Sequence, residues 1–126
     1  MSVQKICIIG DGLAGLSAAI ILSQEHVKID LYTGNNLKKL KTDDRTTAIS
    51  ENSFQFIKQK FNIKNRNIFW PCKEIKLFNE DKEIINNFLN FKEEKTNLMY
   101  IFQNKELKKK LSSQIKKKKK FKLKKK

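Results

Sequence analysis

Near the start of the chain an apolar run, Ile6-Cys7-Ile8-Ile9, passes directly into Gly10-Asp11-Gly12-Leu13-Ala14-Gly15, and Leu16-Ser17-Ala18-Ala19 follows. A short apolar run stopped by glycine reads as a buried strand, and the small-residue segment after it reads as the start of a helix. A G-x-G-x-x-G pattern in that setting carries a mechanism. Gly10 lets the chain turn sharply out of the strand. Gly12, having no side chain, lets a pyrophosphate approach the backbone. Gly15 lets the helix pack closely on the strand, and Ala19 continues that contact one turn later. The helix start adds unpaired N–H groups and a partial positive charge. The stretch therefore predicts a dinucleotide site, with NAD(P) and FAD not separated by the glycines because both carry an ADP half.

The remaining chain extends this unit. A helix is expected over Leu13–Gln24, a turn at Glu25-His26, and a second strand at Val27–Tyr32, whose alternation suits a position near a sheet edge. Two parallel strands joined by a helix in so few residues form a right-handed βαβ unit. In many such units an acid closing the second strand holds the adenosine ribose. Thr33 occupies that place here, while Asp30 falls on the opposite side of the strand. A threonine hydroxyl can bond a ribose, but it accepts less well than a carboxylate. Thr33–Thr42 reads as a polar loop, and Ser50 is the expected N-cap of a helix carrying Phe54, Ile57 and Phe61. Asn62–Trp70 reads as irregular, with a break at Trp70-Pro71. A hairpin is expected from Glu74–Phe78 and Glu83–Phe91 turning at Asn79–Lys82, then a strand at Leu98–Phe102. Asn104 is placed to cap a helix over Lys105–Lys116 with Leu107, Leu111 and Ile115 on one face.

Length and charge limit what such a chain can be. The 126 residues fit one small domain, short for an enzyme that must hold both a dinucleotide and a substrate. Cys7 and Cys72 are too few for a metal site or a disulfide framework, so both read as reduced cytosolic thiols, Cys7 as a small buried hydrophobe. The apolar run over 6–22 is interrupted by Asp11 and three glycines, which argues against a signal peptide or a membrane span. Of the net charge of +15, +12 falls in Lys105–Lys126, with 13 lysines against Glu106. The first 104 residues carry 15 basic and 12 acidic groups and are close to balanced. Residues 116–126 are low-complexity lysine, which predicts a disordered tail following a domain over 1–115.

A second segment, Asp43-Asp44-Arg45-Thr46-Thr47-Ala48-Ile49-Ser50, stands after the glycine pattern. G-D-G-L-A-G and D-D-R-T-T-A-I-S in this order resemble the FAD-dependent aromatic-ring hydroxylases of ubiquinone biosynthesis, a branch of the class A flavoprotein monooxygenases. Met99–Leu107 looks like that family's strand-into-helix passage. The resemblance implies an α/β fold, a Rossmann-like FAD/NAD(P)-binding βαβ unit with a partial extra β-hairpin, incomplete relative to the family. It implies hydroxylation of a polyprenylated phenol, with NAD(P)H reducing the FAD and protein groups binding and shielding the flavin. By position, Gly10, Gly12, Leu13, Ala14 and Gly15 would line the ADP part of FAD, Thr33 would hold the ribose place, and Arg45 would lie beside the pyrophosphate or adenosine. The residues alone leave Arg45 a second role, a surface ion pair with Asp43 or Asp44.

The family's downstream G-D-A-A-H-type segment is not in these residues, so the chain is expected to be a truncated or frameshifted piece of a longer hydroxylase, inactive alone and marginally stable, with a strand edge and an apolar face uncovered. No catalytic residue and no metal ligand is assigned. Two other readings stand beside it: a minimal NAD(P)-binding oxidoreductase domain, and a basic-tailed protein whose lysines hold an anionic membrane or a nucleic acid without sequence preference. The expected location is the cytoplasm, with weak contact to the inner face of the membrane.

Overall fold

The computed structural model describes residues 2–34, 43–63, 68–81, 84–116 and 121–125. Strand β1 (Gln4–Ile9) leads into helix α1 (Leu13–Leu22), and β2 (Val27–Thr33) returns parallel to β1 in a register from Gln4 opposite Val27 to Ile9 opposite Tyr32. The βαβ unit is formed as the pattern requires. Helix α1 stops at Leu22 rather than Gln24, because Ser23 donates its hydroxyl to the Ile20 carbonyl at 2.6 Å and the Gln24 amide turns to Ile21.

Two readings of these strands are corrected. Strand β1 is not buried on both faces: Ile8 packs against the core, whereas Cys7 is exposed and Ile9 keeps 77 % of its surface accessible. It is an outer strand of its sheet, and alternation puts Cys7 and Ile9 on the face away from α1. Strand β2 is central rather than near an edge, with Ile29, Asp30 and Leu31 all buried. Its other neighbour comes from the far end of the chain.

After the loop, β3 (Thr46–Ser50) runs into α2 (Glu51–Phe61). Ser50 caps α2 as expected, accepting from the Ser53 amide at 3.2 Å, and Asn62 ends it in the left-handed region with φ 48°. Strand β4 (Phe69–Cys72) replaces the break expected at Trp70-Pro71. It is the outer strand of a sheet ordered β3-β7-β4, where a residue without an N–H is tolerated. The hairpin is longer than expected, β5 (Glu74–Asp81) against β6 (Ile84–Lys92), with a bulge between Leu77 and Phe78. Lys82 of its expected turn lies outside the described residues, as do residues 35–42 of the polar loop and 64–67 of the irregular segment. Strand β7 (Met99–Gln103) lies antiparallel between β3 and β4.

Helix α3 (Asn104–Lys116) follows, and then β8 (Phe121–Lys125), parallel to β2. The disordered tail is corrected at these two places: Lys116 closes α3 and residues 121–125 extend the sheet to β1-β2-β8. Backbone pairing with β2 outweighs lysine repulsion there, because β2 presents an open edge in register with Phe121-Lys122-Leu123. Residues 117–120 and 126 lie outside the described residues.

The core forms where α1 packs on α3 and both meet the sheets. Leu16, Ala19 and Ile20 meet Leu107, Leu111 and Ile115, with Ile29 and Leu31 beneath. Burying one such aliphatic side chain stabilises the fold by about 1.5–3 kcal/mol. Phe54, Phe69 and Phe102 fill the space between α2 and the second sheet, in edge-to-face pairs at 5.1 and 5.4 Å. Leu77, Phe78, Phe88, Leu89 and Phe91 of the hairpin remain exposed.

Candidate functional site

The three glycines of the bend differ in what constrains them. Gly10 has φ +110°, which L-residues rarely adopt, and its amide donates to the Tyr32 carbonyl at 2.9 Å. The bend is therefore tied to the end of β2. A Cβ on Gly15 would collide with the Gly10 carbonyl oxygen and lie 3.7 Å from Ile8 Cγ2, so helix and strand end touch where a side chain would stand. Gly12 has an ordinary φ of −70°, yet a Cβ there would meet nothing within 4 Å. Its bareness serves no contact among the described residues. It opens space in front of α1.

Gly12 is the N-cap of α1 and offers no side-chain cap. The first intrahelical bond runs from the Leu16 amide to the Gly12 carbonyl at 3.0 Å, leaving the amides of Leu13, Ala14 and Gly15 as the helix's unpaired donors among the described residues. Gly10, Gly12, Leu13, Ala14 and Gly15 thus form one continuous surface at the strand end. Thr33, half-buried, closes β2 beside it, next to the residue that holds Gly10. Asp30 faces elsewhere, buried and ion-paired with Lys5 at 3.0 Å.

Arg45 is placed differently. Its Nε and Nη2 donate to the two carboxylate oxygens of Asp43 at 2.7 and 2.9 Å, and its side chain is 80 % exposed. That is the surface ion pair weighed as its second role. The Arg45 guanidinium holds the Asp43 carboxyl well below its ordinary range, to about 2, and Asp43 raises Arg45 in turn. The Arg45 carbonyl accepts from the Asn104 amide at 3.0 Å.

Helix α3 joins the two motifs. Thr47 donates to Asn104 Oδ1 at 2.6 Å, Lys105 binds Asp44 at 2.7 Å, and Lys108 reaches Asp11 at 3.5 Å. The Asp44 carboxylate raises Lys105. One face of the first turn of α3 therefore spans from the D-D-R segment to the glycine bend. Asp11, Asn104, Lys105 and Lys108 were not assigned to the site from the sequence, where Asn104 stood only as the cap of α3. The only local signal was the three-residue spacing of Lys105 and Lys108, which puts both on one helix face. Among the described residues no three His, Cys, Asp or Glu side chains gather as a metal would need, and no helix is long and apolar enough to cross a membrane.

A glycine bend between parallel strands, with a second antiparallel sheet joined through α3, defines a partial Rossmann-like α/β architecture. Solved structures share this fold. The chain is similar to 2,6-dihydroxypyridine-3-hydroxylase from Arthrobacter nicotinovorans, with a TM-score of 0.70 and 11% identity over 97% of this chain and 29% of that one. It is also similar to CtdE, solved in complex with FAD, with a TM-score of 0.59 and 20% identity over 89% of this chain and 27% of that one. The α/β fold read from the sequence is the one these structures have, and at such identities the likeness is one of fold. The chain spans less than a third of either protein's length. No protein-family model matches the chain, and no curated protein matches it.

Proposed function

We propose that this chain forms the ADP-binding part of an FAD site in a flavin-dependent monooxygenase, with NAD(P)H as reductant and a polyprenyl phenol of ubiquinone biosynthesis as substrate. The observation that carries the FAD site is the empty space over Gly12, bounded by unpaired α1 amides. It fits a diphosphate, which needs close backbone approach and N–H donors. The fold shared with a protein solved with FAD supports a flavin, and the D-D-R-T-T-A-I-S segment supports FAD over NAD(P) as resident cofactor and the quinone-pathway substrate.

In this reading Gly12, Leu13, Ala14 and Gly15 bind the pyrophosphate, Gly10 shapes the bend, Thr33 meets the ribose, and Arg45 leaves Asp43 for the phosphate or adenosine. FAD supplies the oxygen chemistry when bound. In this reading a lipid-quinone substrate brings the enzyme to the inner face of a membrane.

The test is a titration of the purified chain with FAD, followed by flavin fluorescence and repeated with ADP and NADH as competitors. The chain is expected to purify with little yellow colour, to bind added FAD weakly, and to lose it to ADP. Binding that ADP does not compete with, or that survives Gly12→Val unchanged, would overturn the site.

A further inference from the structure

Strand β5 follows β4 after Lys73 alone, and β6 pairs with it to form a two-stranded arm on the second sheet. The Glu93 amide donates to the Lys73 carbonyl at 3.0 Å where the arm begins. No third described strand extends it, and none of its described side chains belongs to the core. Its two faces differ. Register and alternation put Glu74, Lys76, Asn90 and Lys92 on one face, where Asn90 Nδ2 donates to Glu74 at 3.0 Å and Lys76 lies 3.6 Å from the same carboxylate. The other face carries Ile75 opposite Phe91 and Leu77 opposite Leu89. Leu77, Leu89 and Phe91 keep 39, 41 and 46 % of their surface accessible. A two-stranded ribbon is marginal in water unless such a face is covered.

Area and charge together say what fits there. With half-buried Ile75, the accessible part of this face amounts to about 300 Å2 of apolar surface. At the usual apolar share of about 60 %, two such faces make an interface of about 1,000 Å2 in all, the lower limit for a specific dimer. The arm also carries charge of opposite sign at its two ends. Its tip is acidic, Glu80-Asp81, while at its base Lys73 is exposed with no ion-pair partner among the described residues. Phe69, Pro71 and Lys73 precede Ile75 and Leu77 at two-residue spacing, so the apolar face runs on into the cavity between α2 and the β4-β7 pair. Lys58, also exposed and without an ion-pair partner among the described residues, lines that cavity beside Lys73. Lys73 stands four positions before Leu77 and Asp81 four after it, so two arms crossing antiparallel at Leu77 set each tip against the other's lysines. A parallel approach would set like charges together. A face apolar at its centre and oppositely charged at its ends is complementary to itself about a two-fold axis.

We propose that two copies of this chain associate through their β5–β6 arms. The faces carrying Ile75, Leu77, Leu89 and Phe91 pack together about a two-fold axis, and the Glu80-Asp81 tip of each copy lies beside Lys58 and Lys73 of the other. This association uses no residue of the glycine bend and does not depend on the dinucleotide reading.

The test is sedimentation velocity of the full chain over a range of concentrations, joined to isotope-filtered NOE spectra of a half-labelled sample. The parent is expected to show one monomer–dimer equilibrium with a Kd on the order of 10 μM, as suits an interface at the small end. Its filtered spectra should join the Leu77 and Leu89 methyls of one copy to the Phe91 ring of the other, a readout that needs no variant. Leu77→Lys combined with Leu89→Lys, both at exposed positions, should raise the Kd more than about tenfold. Phe56→Gln removes a comparably exposed ring from α2 and should leave the Kd unchanged. Lys73→Glu should raise it about fivefold, and adding Glu80→Lys should restore the parent value. A monomer at every concentration, or growth beyond the dimer, overturns the proposal. So does a dimer that survives the double lysine variant, that Phe56→Gln weakens equally, or that the charge exchange fails to restore.

Discussion

Gly15 and Gly12 stand three residues apart in one motif, and the structure gives them opposite sensitivities. In Gly15→Ala the new Cβ meets the Gly10 carbonyl oxygen, with the carbonyl carbon 3.1 Å away. Those are backbone atoms with no rotamer to move to, so α1 must shift off the end of β1. Overpacking of this kind costs up to about 3 kcal/mol. Alanine is favoured over glycine within a helix by about 1 kcal/mol, which offsets part of it. The net loss is about 2 kcal/mol, and at about 4 °C per kcal/mol for a chain of this size the Tm falls by about 8 °C. Gly12→Ala puts its Cβ in open space at an allowed φ of −70°, and loses only the small N-cap preference of glycine, about 0.5 kcal/mol or 2 °C. The same Cβ fills the approach to the α1 amides, so FAD affinity should drop at least about tenfold, the effect of losing one or two charge-assisted bonds. Thermal melts by circular dichroism, paired with flavin fluorescence titrations, separate the two effects. An unchanged Tm in Gly15→Ala would refute the close helix–strand contact. Undiminished FAD binding in Gly12→Ala would refute the pyrophosphate approach.

Asp11 places a carboxylate inside the proposed anion site and Lys108 neutralises it, so Asp11→Asn should tighten FAD binding about threefold and Lys108→Ala should weaken it about threefold, with the double variant near the parent; losses in both single variants would show that the pair only props the bend. Asp43 titrates at about 2 because of Arg45, so their pairing is complete above its ordinary value of 3.8 and is lost as pH falls from there through about 2. Carbon-detected NMR titration should give that midpoint and return it to the ordinary value in Arg45→Ala, and no change on removing Arg45 would contradict the bidentate pair. Ile9→Lys and Phe88→Lys alter side chains that are 77 % and 62 % exposed, so they should raise the soluble monomer fraction in light scattering while moving Tm by less than about 2 °C. A larger fall in Tm would mean that these side chains are packed.

What the sequence showed clearly was local. The bend was legible because each glycine answers a constraint from within a few residues: Gly10 its own φ, Gly15 the Gly10 carbonyl, Gly12 the cap of α1. The faces of α2 and α3 were legible from the spacing of Phe54 and Phe61, and of Leu107, Leu111 and Ile115. Strands β3 and β4 were not legible as strands. Thr46–Ser50 alternates only weakly, and Pro71 argues for a break unless the strand is known to be an outer one, which is a property of the sheet. The exposure of Cys7 likewise depends on β1 having one described neighbour, which no pattern inside Ile6–Ile9 can reveal. The ion pairs that link the two motifs join Lys105 and Lys108 to residues far back in the chain, at Asp44 and Asp11. Only the path of β7 into α3 brings them together.

The end of the chain shows how composition can hide a strand. Thirteen lysines in Lys105–Lys126 outweigh every other signal there, and a solvated coil is what a like-charged run predicts. Within it Phe121 and Leu123 alternate with lysines, a two-residue period that suits β structure. The register with β2 sets Phe121 opposite Ile29 and Leu123 opposite Leu31, the two buried aliphatics of the central strand. Lysine is also what natural sheets place on outer strands, since like-charged edges do not pair with one another. Charge and strand formation are therefore compatible here, and residues 121–125 pair with β2 as a strand. Their contribution is to the sheet whose first bend carries the proposed dinucleotide site: β8 holds β2, and β2 through Tyr32 holds Gly10.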